Sequence, residues 1–220
     1  MKIKLIADSG STKADWCLTG GNETGHFATQ GISPYFLNAQ QIKEILEREL
    51  LPHLPADVEI AEIFYYGTGC LQPKSVQIVQ TALESVWPAA AVTVNHDLMG
   101  AARALCGRNP GIASILGTGS NSGFYDGTRI VKNNPGLGYV LGDEGSGAVL
   151  GKKLLQMYLY NSFDEELKAR FDETYNTSND EILENVYRKP LPNRYLAGFA
   201  RFLGENRGHY IIENILEDGL

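Results

Sequence analysis

The sequence predicts an α/β protein in two lobes, and three observations carry that prediction. Up to residue 105, short β-branched and aromatic runs alternate with segments of helical period, the pattern of a lobe that contains parallel strands. After Gly107 the pattern restarts with a new strand. Each half also opens on a strand that runs into a turn of Gly, Ser and Thr. These are Leu5-Ile6-Ala7-Asp8-Ser9-Gly10-Ser11 and Ile115-Leu116-Gly117-Thr118-Gly119-Ser120. Such a recurrence is an internal repeat, and two hairpins facing one another would form a clamp with two jaws. The expected bounds are 1–109 for an N-terminal lobe and 110–220 for a C-terminal lobe.

Taken in order, residues 2–7 read as a strand, residues 8–12 as a tight turn and residues 14–18 as a second strand. Gly20-Gly21-Asn22 turns the chain into a third strand at 23–30. Residues 39–50 place Ile42, Ile45, Leu46 and Leu50 on one helical face. A strand at 60–66 ends in Gly67-Thr68-Gly69-Cys70, and Pro73 opens a helix whose apolar side is Val76, Val79, Leu83 and Val86. A short strand at 92–95 follows, with a helix around 98–105. In the second half, strands are expected at 112–116, 122–125 and 129–132. A glycine-rich loop then spans 134–147, and helices continue towards Leu220.

Composition narrows the function classes. With 43% hydrophobic and 20% charged residues, the 220-residue chain is ordinary for a globular protein. It contains no run of the roughly 18 apolar residues that would span a bilayer. A net charge of −7 leaves no basic stripe for nucleic acid. Cys17, Cys70 and Cys106 have no metal-ligand spacing, and their odd number fits reduced thiols in the cytoplasm. His26, His53 and His209 likewise have no partners at metal-ligand spacing, and Phe64, Tyr65 and Tyr66 read as sheet core.

In the first turn Gly10 admits an anion close to the backbone, while Ser11, Thr12 and Lys13 add donors beside their N–H groups. Successive N–H groups of this kind form a concavity suited to the phosphates of ATP. Asp8, at the strand end, is placed to hold hydrated magnesium. The alternative is a plain Ser/Gly hairpin in which Asp8 bonds its own turn. Gly117, Thr118, Gly119 and Ser120 offer the same donors without a carboxylate. Neither a Walker-type lysine motif nor a dinucleotide fingerprint is present.

Asp97 ends a strand and precedes a helix, where open α/β sheets keep their ligands. It suits the base that accepts a proton from a sugar hydroxyl, and an N-cap is the alternative role. His96 beside it reads as structural. Five glycines between Gly136 and Gly147 bring backbone close to a ligand. Gly138, Asp143 and Glu144 of this loop, with Asn121, are the candidate contacts to sugar hydroxyls. The alternative is that Asp143 or Ser146 only caps the next helix.

In this order the motifs resemble the acetate and sugar kinase, Hsc70 and actin superfamily, and within it the N-acetylglucosamine kinase and BadF/BadG/BcrA/BcrD-type ATPase branch. Asp8 to Asp15 is similar to the first phosphate motif, Ile115 to Asn121 to the second, and Gly138 to Ser146 to the sugar-loop signature. The run from Asn95 to Ala102 resembles the segment that supplies the catalytic aspartate. The resemblance implies a two-lobed actin-like (ribonuclease H-like) ATPase fold, each lobe opening with a β-hairpin phosphate motif. It implies ATP and Mg2+ as cofactors, Asp97 as the catalytic residue, Asp143 on the sugar, and Thr12, Thr118 and Ser120 on phosphates.

Two departures stand out. Gly31-Ile32-Ser33-Pro34-Tyr35 lies where relatives usually carry an asparagine that helps hold the sugar, and here none occurs before Asn38. The family also continues into a C-terminal part, with a glycine-rich adenosine motif and a returning helix, that this sequence is expected to lack. The leading expectation is a cytoplasmic kinase that phosphorylates an N-acetylated hexose, N-acetylglucosamine first, with neither nucleic acid nor membrane as a partner and a homodimer left open. The rival readings are an activator-type ATPase of the same branch, and a non-catalytic sugar-binding or truncated homologue.

Overall fold

β1 (Ile3–Ser9) alternates cleanly, with Leu5, Ala7 and Ser9 on the buried face and Asp8 exposed on the other. Its computed structural model describes the chain over residues 3–20, 23–55, 58–134 and 136–219. The turn expected at Gly21 and Asn22 therefore lies outside the described residues, as does Leu220. β2 (Lys13–Gly20) and β3 (Glu23–Gln30) follow in antiparallel register, and β2 turns Ala14, Trp16 and Leu18 to the same buried face.

β4 (Ile60–Gly67) lies parallel to β1 on its other side, and β5 (Ala91–His96) lies parallel to β4. The resulting sheet has the order β3-β2-β1-β4-β5. One face is covered by α1 (Ala39–Ile45) and α2 (Pro73–Val86), whose Ile42, Val79, Ala82 and Leu83 pack with Leu5, Trp16, Ile63 and Tyr65. The single helix expected over residues 39–50 is α1 continued by a π-helical turn, Leu46–Leu50. The Leu51 N–H reaches back to the Leu46 carbonyl there, and Leu46 and Leu50 both stay buried.

α3 (Asp97–Cys106) lies on the opposite face, where Tyr66 points away from its buried neighbour Tyr65. The close fit needs Gly100, since a Cβ there would come within 2.8 Å of the Tyr66 ring.

The second set of strands is β6 (Gly111–Leu116), β7 (Ser120–Tyr125) and β8 (Ile130–Asn134), hydrogen-bonded in that order. Residues 117–119 alone join β6 to β7, a link that permits only an antiparallel hairpin. The helices are α4 (Gly147–Leu159), α5 (Glu165–Tyr175), α6 (Asn179–Tyr187), α7 (Pro192–Ala197), α8 (Ala200–Glu205) and α9 (Tyr210–Glu217). Their core gathers around Phe171, which meets Tyr158, Phe163, Tyr175, Phe199 and Phe202 at ring separations of 4.2 to 5.9 Å. Gly151 of α4 lets α7 approach, because a Cβ there would fall 1.9 Å from the Leu196 carbonyl oxygen.

The chain divides into two compact units. One comprises residues 1–113 and 125–130, the other residues 114–124 and 131–220. The division is thus not a single cut at residue 110. Tyr125 explains part of this, since its hydroxyl donates to the Gly127 carbonyl at 2.8 Å and also lies 3.3 Å from the Gly107 carbonyl. Among the described residues, no helix is long and apolar enough to cross a membrane.

Candidate active site

In the first unit, three parallel strands end side by side. Their register pairs Asp8 with Tyr66 and Tyr66 with Asn95, then Ser9 with Gly67 and Gly67 with His96. The turn after β1, the turn after β4 and Asp97 after β5 therefore share the C-terminal edge of the sheet, where α/β folds place ligands.

The turn carrying Gly10, Ser11, Thr12 and Lys13 closes through the Gly10 N–H, which donates to the Lys13 carbonyl at 2.9 Å. Lys13 pairs with Asp15 at 2.5 Å. The segment after β3 buttresses this turn. The Gly31 N–H donates to the Thr12 carbonyl at 3.0 Å, and the Ile32 N–H donates to the buried Ser9 hydroxyl at 3.1 Å. Tyr65 adds its own hydroxyl, which donates to the Ile32 carbonyl at 3.3 Å. A Cβ on Gly31 would lie 2.3 to 2.4 Å from backbone atoms of Gly10, Ser11 and Thr12. Sequence reasoning missed Gly31, Ser9 and Tyr65 as supports of the turn. Their signal, a glycine at a strand end, becomes specific only when the facing strand is known.

Asp8 is exposed at the strand end, yet its carboxyl is held above the usual range. Crowding by the surrounding protein acts first, followed by the charges of Asp97 and then Asp15. Asp97 is not the helix cap: His96 holds that position, and Asp97 is the first helical residue. Its Oδ1 accepts the Leu98 N–H at 2.8 Å. Among the described residues the buried Nδ1 atom of His96 has no hydrogen-bond partner, and burial lowers the pKa of this imidazole against the pull of Asp97. Asn38 is taken up elsewhere, in a capping box with Gln41 at the start of α1.

The second unit assembles its own cavity, about 430 Å³, lined by Ser120, Asn121, Asp143 and Glu144 together with Ser114, Ser122, Asn134 and Gly136. Asp143 is its most constrained member, with φ at +62°. One of its carboxylate oxygens accepts the Gly138 N–H at 3.0 Å. A Cβ on Gly119 would fall 2.6 Å from the other oxygen, and one on Gly136 3.0 Å from the first. Glycines in both the 117–120 turn and the following loop are thus what let Asp143 sit between them.

Ser146, not Asp143, caps α4, its hydroxyl accepting the Val149 N–H at 3.3 Å. This leaves the Asp143 side chain to the cavity. The carbonyls of Gly117 and Thr118 accept N–H groups of Gly147 and Ala148 at 2.8 and 3.1 Å, tying the turn to the start of α4. Asn121 is oriented by Asn133, whose amide donates to it at 2.9 Å. This partner was not foreseen from the sequence.

No protein-family model matches the chain, and no curated protein sequence matches it. Among solved structures, it is similar to a candidate N-acetylglucosamine kinase from Porphyromonas gingivalis, with 41% identity and a TM-score of 0.93 over 100% of this chain and 77% of that one. A candidate N-acetylglucosamine kinase from Chromobacterium violaceum shares the fold at 21% identity and a TM-score of 0.69, over 100% of this chain and 81% of that one. With 41% identity along its whole length, the chain belongs to the N-acetylglucosamine kinase family of the sugar kinase, Hsc70 and actin superfamily and has its α/β actin-like ATPase fold.

Proposed function

We propose that the chain transfers the γ-phosphoryl group of Mg·ATP to a hydroxyl of an N-acetylated hexose, with N-acetylglucosamine as the first acceptor to try. The observation that carries this reading is the placement of Asp8 and Asp97 at one sheet edge, beside a Ser/Thr/Gly turn. The kinship with candidate N-acetylglucosamine kinases supports it.

Phosphoryl transfer asks a protein mainly for positioning and charge stabilisation. In this reading Asp97 accepts the proton of the acceptor hydroxyl as its oxygen attacks phosphorus and the bond to the ADP oxygen breaks. Gly10, Ser11, Thr12 and Lys13 hold phosphate oxygens, as do Gly117, Thr118, Gly119 and Ser120. Gly138, Asp143, Glu144 and Asn121 hold and orient the sugar. Asp8 fits hydrated Mg2+, since a cation relieves the crowding of negative charge around it. Magnesium, when bound, shields phosphate charge.

The test is Asp97→Asn. Turnover should fall by about 10²- to 10⁴-fold while calorimetry still detects the sugar. Near-normal turnover would remove Asp97 from the base role.

A further inference from the structure

The second unit holds a cavity that phosphoryl transfer leaves unused. It measures about 640 Å³, is larger than the one beside Asp143, and shares no lining residue with it. Residues 152, 155, 156 and 159 of α4 and residues 179, 182, 183 and 186 of α6 line it, one stripe at helical spacing from each helix. Leu196 of α7 completes the apolar lining.

Leu155, Ile182 and Leu196 are buried, whereas Tyr160, Tyr187 and Leu183, which also line the cavity, are 73%, 79% and 44% exposed. Large apolar and aromatic side chains left in water around a hollow favour a ligand that covers them. Cavities of roughly 300–1,000 Å³ suit small molecules. With its nine residues, α6 offers a wall of only about 13 Å, which is short for a docked helix. Two exposed tyrosine rings suit an aromatic ligand best.

Charge narrows the ligand further. Among the described residues that line the cavity, Lys152 alone is charged. Its Nζ donates to the Tyr139 carbonyl at 2.6 Å, which holds the ammonium in place and leaves two of its three N–H donors for a ligand. Among the described residues no carboxylate pairs with Lys152, whereas Lys4, Lys43 and Lys168 each have one. Asp180, Glu184 and Arg188 line a neighbouring hollow that shares only Leu183 and Tyr187 with this cavity. A fixed cation with donors to spare beside apolar walls is matched by an anionic group on an apolar body. We propose that the cavity between α4 and α6 binds a small aromatic anion, its rings against Leu183, Tyr160 and Tyr187 and its anionic group on Lys152.

The test is fluorescence titration of the whole chain with two probes, anilinonaphthalene sulfonate and its neutral counterpart phenylnaphthylamine, which lacks the sulfonate. Lys152→Met keeps the length of the side chain and removes its charge. It should weaken the sulfonate about tenfold and leave the neutral probe unchanged. Leu183→Glu, at an exposed position of the wall, should weaken both probes. Lys74→Met removes a positive charge from the first unit and should change neither. A melting curve checks that each variant is folded.

Equal sulfonate affinity in Lys152→Met and the unaltered chain, or no saturable binding by the unaltered chain, overturns the site. A loss in Lys74→Met as large as that in Lys152→Met does so too, because the effect would then be one of net charge. Light scattering tests the rival occupant. A dimer that excludes the probes and is dissolved by Leu183→Glu would assign the cavity to a second copy of the chain and overturn the ligand site.

Discussion

Asp8 is a carboxylate held where its surroundings oppose ionisation: protein crowding, Asp97 and Asp15 all raise its pKa. A raised carboxyl pKa means that the folded state binds the proton more tightly than the unfolded chain. Folding is therefore favoured at acid pH, and that contribution is lost as pH rises through the pKa of Asp8 in the folded protein. Asp8→Asn should accordingly melt slightly higher than the unaltered chain at neutral pH. The gain is a fraction of a kcal/mol, because Asp8 is exposed and solvent screens the repulsion. It should vanish in acid, where both side chains are neutral. Added Mg·ATP should raise the melting temperature of the unaltered chain and not that of the variant. Equal melting of both proteins at neutral pH, or equal stabilisation by Mg·ATP, would remove the charge argument. The sequence showed Asp8, Asp97 and Asp143 as candidates because each follows a strand or sits among glycines. It did not show that Asp97 presses on Asp8, since that depends on β4 lying between β1 and β5.

At the scale of elements, what could be read was what is local. Alternation in β1, Pro73 at the start of α2 and the two Gly/Ser/Thr turns each announce themselves within a few residues. Cross-strand neighbours do not, which is why Gly31 read as an ordinary loop glycine. In the fold it lets the segment after β3 touch the backbone of residues 10–12. Gly31→Ala has backbone, not flexible side chain, in its way, so it should destabilise the protein by about 2–3 kcal/mol, measurable by urea unfolding. It should also weaken ATP binding by displacing the turn. Unchanged stability would mean that the segment and the turn separate freely. The α1 region gives the same lesson in another form. Ile42, Leu46 and Leu50 share a face in a regular helix, so periodicity conceals the π-helical turn that the Leu46–Leu51 hydrogen bond creates.

For the whole molecule, the internal repeat is the feature from which most follows. Each half opens with a strand, a short turn of small residues and a second strand, and each places carboxylates close to its turn: Asp8 and Asp97 in one unit, Asp143 in the other. The repeat is not symmetrical in its chemistry. The first turn is supported by a neighbouring segment of backbone, the second by the N-terminus of α4 and the Asp143 carboxylate. For the proposed kinase, ADP release should need both Mg·ATP and an acceptor. The most direct measurement is a coupled ADP-release assay of the folded chain with N-acetylglucosamine, N-acetylmannosamine, N-acetylmuramic acid and glucose. Release should depend on an N-acetylated sugar and be lost in Asp97→Asn. Release at the same rate with and without sugar, or none with any of the four, would contradict it.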